Sequence, residues 1–329
     1  MSLTQLADDA LTKYTSPDAR MRREFVGSIQ QAADLFTLFA SERRLDMRLA
    51  WQIVHRLHRL LIEDNDSAIA LAAQPLYDSY PVRHSVQSAL LSMALGVESD
   101  LPEDELLALG LGALVHDIGM LLMPARLLDA EVIGDRDRRE LIKHPQHAVA
   151  ALEQSAQAPV ASLCVAGQIH ERVDGSGYPL GLHGGEIHRL SRLAMVVDAF
   201  LAMIAPRPYR PPHEPYRAVE ELLFAAHRGR FDPAAVRILL RVVSLFPVGS
   251  CIWLSDGRAA RVQRGNRHAV DRPVVVALDL EQDPPTLEVV DLSQHPELTI
   301  IDVGELTTNS AFSSTGSGGR THCSTANGP

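Results

Sequence analysis

Cysteine is scarce in this 329-residue chain. Its three cysteines, Cys164, Cys251 and Cys323, are scattered, odd in number and never spaced as CxxC, so a paired-thiol motif is excluded. Such usage suits reduced thiols and a cytoplasmic location. An excess of basic residues is missing too: 31 Lys and Arg face 41 Asp and Glu, a net charge of −10. A nucleic-acid polymer or an anionic membrane is therefore not the expected partner. No apolar run is read as long enough for a spanning helix, and Met1-Ser2-Leu3-Thr4 lacks a signal-peptide pattern. No internal repeat is visible. What the chain does have is 46% hydrophobic residues, enough for one large or two moderate domains with a real core.

Hydrophobic periodicity divides the chain into stretches of different character. Residues 1 to 75 read as a small helical module with a polar face. Ile29, Ala33, Phe36 and Phe39-Ala40 recur at helical spacing, as do Leu49, Ile53, Leu57, Leu60 and Leu61. His55 and His58 could share a face of the second helix, but with no acidic third ligand nearby they are read as solvent-exposed. From 76 to 247 the pattern is a series of apolar helices. One opens at His84, and the next is capped by Ser99-Asp100 with Pro102 and ends in His116-Asp117. A helix over about 137–154 contains His144, and another runs from Pro159 to His170-Glu171. After the loop Arg172 to Pro179, further helices are expected at about 187–204, 215–229 and 233–245. From 248 to 306, β-branched runs separated by Asp256-Gly257, Gly265-Asn266 and Pro284-Pro285 predict a small β-subdomain of four or five strands. Residues 307 to 329 are Ser, Thr, Gly and Asn with almost nothing to bury and are expected to be disordered. The fold class is mainly α with a closing β piece.

The chemistry concentrates in the middle region. His84, His116, Asp117, His144, His170 and Asp198 each lie at a helix end or in a helix otherwise made of apolar residues. An imidazole beside a carboxylate is costly to bury unless the two are paired or hold a metal. Asp198, within Val196-Val197-Asp198-Ala199-Phe200, is the most telling. Bland alternatives exist for each: His84 facing water, His144 preceding a proline turn, Asp198 paired with Arg192 or Arg207. Gly175 and Gly177 allow tight backbone near a ligand, and Pro179 stiffens the loop's exit.

The order of these residues resembles the HD-GYP family, a branch of the HD phosphohydrolase superfamily. His84, His116-Asp117 and Asp198 match the superfamily's H…HD…D set, and HERVDGSGYP from His170 to Pro179 matches the family's signature loop. The resemblance covers roughly residues 75 to 250, including Arg207 to Arg210 and Phe231-Asp232-Pro233, and a β-rich tail is often appended to such domains. It implies an HD-type helical bundle that hydrolyses cyclic di-GMP to pGpG or GMP on one or two iron or manganese ions. By that likeness His84, His116, Asp117 and Asp198 would hold the first ion. Asp117 would bridge, and His144 and His170 would hold the second. His116 and Asp117 would be the catalytic pair. Glu171 and Asp174 would support the ligands, and Gly175, Gly177, Tyr178, Pro179, Arg207 and Arg210 would meet substrate. Such ligands suit borderline ions.

Two positions depart from the family. Ile169 stands where a histidine is usual, so the second ion loses an imidazole, and Met120 replaces a lysine that could pair with phosphate. The chain therefore reads as a partly degenerate member. Tyr80, four residues before His84, occupies a place where some members carry a glutamate for a third metal, so a three-metal version is not expected. Three readings follow. The first is a phosphodiesterase with an impaired second metal site. The second is a catalytically inactive domain that binds cyclic di-GMP or a signalling protein. The third, a one-metal phosphohydrolase acting on another nucleotide, is opposed by the intact loop. Oligomeric state is not readable.

Overall fold

The computed structural model describes residues 19–73, 80–124, 134–155, 157–205, 212–279 and 286–304. The tail from 307, expected to be disordered, lies outside these residues, as do Arg207 and Arg210.

The chain begins with α1 (Ala19–Glu42) and α2 (Met47–Glu63), followed by α3 (Asn65–Ala72). Met21, Phe25, Ile29, Ala32, Phe36 and Phe39 give α1 one buried stripe. Asp46 and Asp64 cap α2 and α3 by accepting from Leu49 N and Ser67 N, both at 3.1 Å. The stripe is shifted slightly from the expected one: Ala32 and Leu35 face the core, whereas Ala33 is half-buried and Ala40 exposed.

At the centre lie α4 (Val82–Glu98) and α5 (Glu103–Val115). Every α4 residue from His84 to Gly96 is buried, and α5 is buried at Leu106 and from Ala108 to Val115. A helix apolar on all faces belongs in the interior. Together with the 3₁₀ turn Ile118–Leu122, α5 makes a 20-residue stretch long and apolar enough to cross a membrane, contrary to the expectation from the sequence. Most of that stretch is buried inside the protein, which accounts for its apolarity.

Around this pair come α6 (Asp135–Leu141), α7 (His144–Glu153), α8 (Val160–Gln168), α9 (Arg189–Ile204), α10 (Pro215–His227) and α11 (Pro233–Val243). The single helix expected over 137–154 is broken between Leu141 and His144, with Pro145 in the first turn of α7. Proline has no N–H to continue a helix but suits a helix start, so the break falls just before it and leaves His144 at an N-terminus. A second correction concerns Ser99. It ends α4, its hydroxyl donating to Leu95 O at 2.7 Å, and α5 starts at Pro102 with no side-chain cap. His58 also differs from expectation. It is half-buried, with Nδ1 3.9 Å from a Glu103 oxygen of α5, whereas His55 is exposed.

One hydrophobic core runs continuously from Met21 to Val243, so the first helices share it with the later ones. The antiparallel sheet has the order β4-β3-β2-β1-β5, with β1 Cys251–Leu254, β2 Ala259–Arg264, β3 Val274–Asp279, β4 Thr286–Asp291 and β5 Ile300–Val303. Its own cluster of Phe246, Ile252, Leu254, Val262, Val275 and Val290 fills one face. Arg267 reaches from the sheet's β2–β3 loop to Asp66 and Glu98 of the helices.

Candidate metal centre

Five helices and the segments beside them bring six side chains to one buried point. His84 comes from the first turn of α4, His116-Asp117 from the end of α5, and His144 from the start of α7. His170 follows α8, and Asp198 projects from the middle of α9. All six are buried, His116 completely. The close approach that permits this is visible at Gly119, where a β-carbon would collide with the carbonyl of His144. Only glycine lets the turn after His116-Asp117 pack against the start of α7.

Two carboxylates organise the cluster. Asp198 Oδ1 lies 3.0 Å from His84 Nε2 and 3.8 Å from His116 Nε2, while its Oδ2 lies 3.1 Å from His170 Nδ1. Asp117 Oδ1 is 3.2 Å from His144 Nε2 and 3.6 Å from His170 Nε2, and its Oδ2 is 3.4 Å from His116 Nε2. Of the sequence's alternatives for Asp198, pairing with Arg192 is not realised among the described residues, and Arg207 lies outside them. Arg192 pairs instead with Asp232 and donates to the carbonyls of Gly184 and Ile187.

Buried carboxylates cost several kcal/mol apiece unless compensated. Burial opposes the ionisation of Asp117, but His116 and the other imidazoles outweigh it and hold the carboxyl well below the usual range. Asp198 behaves alike, with His170 the strongest opponent of burial. Burial also works against a charged His170, yet Asp198 and Asp117 prevail and raise it to about 9. His116 is raised for the same reason, whereas burial dominates at His144 and lowers it. In the absence of any other cation, protons on imidazoles balance the two carboxylates.

The ring nitrogens are arranged for a metal. His116 and His144 each direct Nδ1 at a backbone carbonyl, Ala113 O and Leu141 O, at 2.7 Å. Donation there fixes the tautomer and leaves the Nε2 lone pair free. The Nε2 atoms of His116, His144 and His170 are buried without a hydrogen-bond partner of good geometry among the described residues. Buried polar atoms left in that state need an explanation, and a cation supplies it. Two overlapping groups have donor atoms close enough to share an ion: His84, His116 and Asp198, and His116, Asp117 and His170.

The loop after His170 braces the centre. Glu171 is fully buried, and its carboxylate accepts from Leu180 N at 2.7 Å and Leu182 N at 3.1 Å. Asp174 sits at the surface, away from the six, and accepts from Ser176 N and Oγ. Gly175 has φ +78° and packs against the His183 ring, and Gly177 lies so close to the Glu171–Arg172 backbone that no β-carbon fits. The Tyr178 ring stacks on His170 with centroids 5.0 Å apart, and Pro179 follows, half-buried. Both departures from the family pattern are apolar and buried: Ile169 is fully enclosed and Met120 nearly so.

Two further side chains stand beside the six. Tyr80 Oη stands 3.0 Å from Asp117 Oδ2, and its ring lies 5.5 Å from that of His84. Arg172 donates to Glu171 O at 2.6 Å and lies over the Phe231 ring at 4.7 Å. Tyr80 sits one helical turn before His84, and that spacing was the available signal.

A helical bundle that gathers a histidine–aspartate doublet, further histidines and a distal aspartate around one buried point defines the HD class of metal-site proteins. A family model described as HD domain matches residues 61–235, and the chain belongs to that family. A cyclic di-GMP phosphodiesterase of Pseudomonas aeruginosa is 29% identical over 253 residues, 76% of this chain and 61% of that one. A 3'3'-cGAMP-specific phosphodiesterase of Vibrio cholerae is 32% identical over 174 residues, 51% of this chain and 36% of that one. The chain thus spans less than two thirds of either relative. An HDG"Y"P protein from Bdellovibrio bacteriovorus has the same fold, with TM-score 0.56, 17% identity, and coverage of 71% of this chain and 77% of that one.

Proposed function

We propose that this chain is a metal-dependent phosphodiesterase that hydrolyses cyclic di-GMP to pGpG and onward to GMP, with iron or manganese as its ion, in the cytoplasm. The observation that carries the reading is the set of three buried imidazole Nε2 atoms beside the Asp117 and Asp198 carboxylates. When bound, a pair of such cations activates water and offsets charge developing on phosphoryl oxygens. His84, His116, Asp117 and Asp198 would hold the first ion, and His144 and His170 the second, with Asp117 shared. Glu171 fixes the backbone at 180–182 and so the path of the Tyr178-Pro179 segment, whose ring presents a face at the centre for a guanine base or ribose. Two phosphodiester charges must be met by cations. Arg172 is the described candidate, with Arg207 and Arg210 as further ones.

A second reading has its own support. Ile169 places an apolar side chain where an imidazole is expected, and Met120 does the same for a lysine. A chain with one weakened metal position would bind the nucleotide, or a signalling protein, and regulate by contact. The experiment is a hydrolysis assay on cyclic di-GMP and 3'3'-cGAMP with protein purified anaerobically and loaded with Fe or Mn, run beside a binding titration. Turnover abolished together with metal content in His116→Ala supports the enzyme. Tight binding without products supports the receptor. Wild type that takes up no metal leaves only the binding role.

A further inference from the structure

We propose that a groove between α1 and α2, remote from the metal centre, is a binding site for a nucleoside monophosphate. It is lined by Gln31 of α1 and by Gln52, His55, Arg56, Arg59 and Ile62 of α2. Its volume of about 700 Å³ is that of a small-molecule site. Glu103, also on its wall, starts α5, whose rise of about 1.5 Å per residue puts it about 20 Å from His116. The groove is basic in a chain of net charge −10. Arg56 and Arg59 stand one turn apart on α2, a spacing at which like charges repel. Neither is closely neutralised. Arg56 Nε stays 3.8 Å from Glu24, whereas the Arg20–Glu63 pair on the same two helices closes to 2.7 Å. Arg59 has no ion pair among the described residues. Glu103 lies 3.9 Å from His58 and forms no closer pair among them.

The chemistry of the walls selects the ligand. Gly27 of α1 leaves room for the Arg56 guanidinium, since a β-carbon there would stand 3.0 Å from Nη1. A glycine inside a helix is destabilising relative to alanine, so that room is kept at a cost. Guanidinium groups pair bidentately with phosphate oxygens. A phosphate monoester carries about two negative charges at pH 7, which matches the two arginines. The remaining walls suit more than an inorganic anion. Gln31 Oε1 is buried without a donor among the described residues, and Gln52 brings a further amide to the groove. A buried acceptor needs a donor, and the amino group of a purine supplies one. Ile62, 71% exposed, offers the base an apolar surface.

The test uses the full chain without metal, so its outcome does not depend on whether the centre hydrolyses anything. Trp51 reports on the groove, its indole 5.9 Å from the His55 ring. In a Trp253→Phe background it is the single tryptophan. Its fluorescence is titrated with AMP, GMP, adenosine and inorganic phosphate. The expected result is a saturable change with AMP or GMP, at about tenfold lower concentration than with phosphate or adenosine. Arg59→Gln removes a phosphate fork from an exposed position, so thermal melting should stay unchanged while nucleotide affinity falls about tenfold or more. No saturable nucleotide response, or an affinity unchanged in Arg59→Gln, overturns the proposal. Inorganic phosphate binding as tightly as AMP and GMP overturns it too, because the base would then add nothing. Should Trp253→Phe not fold, calorimetric titration of wild type and Arg59→Gln reads the same difference in affinity.

Discussion

Gly119 and His144 meet so closely that a β-carbon on the glycine would overlap the histidine's carbonyl oxygen. One residue closes the turn after His116-Asp117, and the other opens α7. The two parts of the centre that are far apart in sequence are registered by this contact. Gly119→Ala should force them apart and lower unfolding free energy by about 1–3 kcal/mol, the usual penalty of overpacking. Denaturant melts measure the stability loss, and elemental analysis should show reduced metal. A variant as stable and as metal-rich as wild type would mean that the contact relaxes without consequence.

The metal-free protein should have a pH-dependent stability set by His170. Burial disfavours its charge, but Asp198 and Asp117 raise it to about 9 from an unfolded value near 6.5. A raised imidazole stabilises the fold fully below the unfolded value, and that contribution is lost as pH rises through about 9. Metal-free wild type should therefore melt at progressively lower temperature from pH 7 to pH 9.5, and His170→Ala should flatten the slope in that window. Metal loading replaces the proton, so the loaded protein should show little of this slope and should release protons on metal uptake at pH 7. Calorimetry in buffers of different ionisation enthalpy counts those protons. A count of zero would refute the charge assignment.

Glu171 separates support from ligation. Its two carboxylate oxygens each take one backbone N–H, from Leu180 and Leu182. Glutamine has a single oxygen for two donors, so Glu171→Gln should leave a buried N–H facing an NH₂ and cost about 1–3 kcal/mol. Because Glu171 touches the loop and not the cluster, metal content should stay at the wild-type level while turnover of cyclic di-GMP falls. Loss of metal in this variant would instead make Glu171 part of the ligand set.

Much of this arrangement was legible in the chain because burial leaves a mark on composition. Asp198 stands in an apolar helix where a carboxylate has no other business, and His116-Asp117 end one equally apolar. The strands were legible too, since β-branched runs of fixed length separated by turn residues admit few alternatives. What escaped depended on local geometry. The break before His144 came from a proline inside an otherwise helical pattern, and the partial burial of His58 came from Glu103 on another helix. Tyr80 was singled out by its place four residues before His84, but only the fold sets its hydroxyl beside Asp117.

The apolar substitutions invite the reverse experiment. Ile169 is fully buried and directly precedes His170. Met120, in the turn after Asp117, is similarly enclosed. Ile169→His restores an imidazole beside the second ion's ligands, and Met120→Lys restores a charge for phosphate. An imidazole is close to isoleucine in volume, and metal coordination compensates its desolvation, so the fold should accept the first change best when metal is present. Partners that merely orient metal ligands are worth roughly 10–100-fold in affinity or activity. The double variant should therefore bind a second equivalent of Fe or Mn and turn over cyclic di-GMP at least about tenfold faster than wild type. Metal stoichiometry and product formation are read on the same preparation. A second ion without faster turnover would place the remaining defect in the substrate pocket. No second ion would show that the wall at Ile169 does not face the cluster, and that the weakness of the centre lies elsewhere.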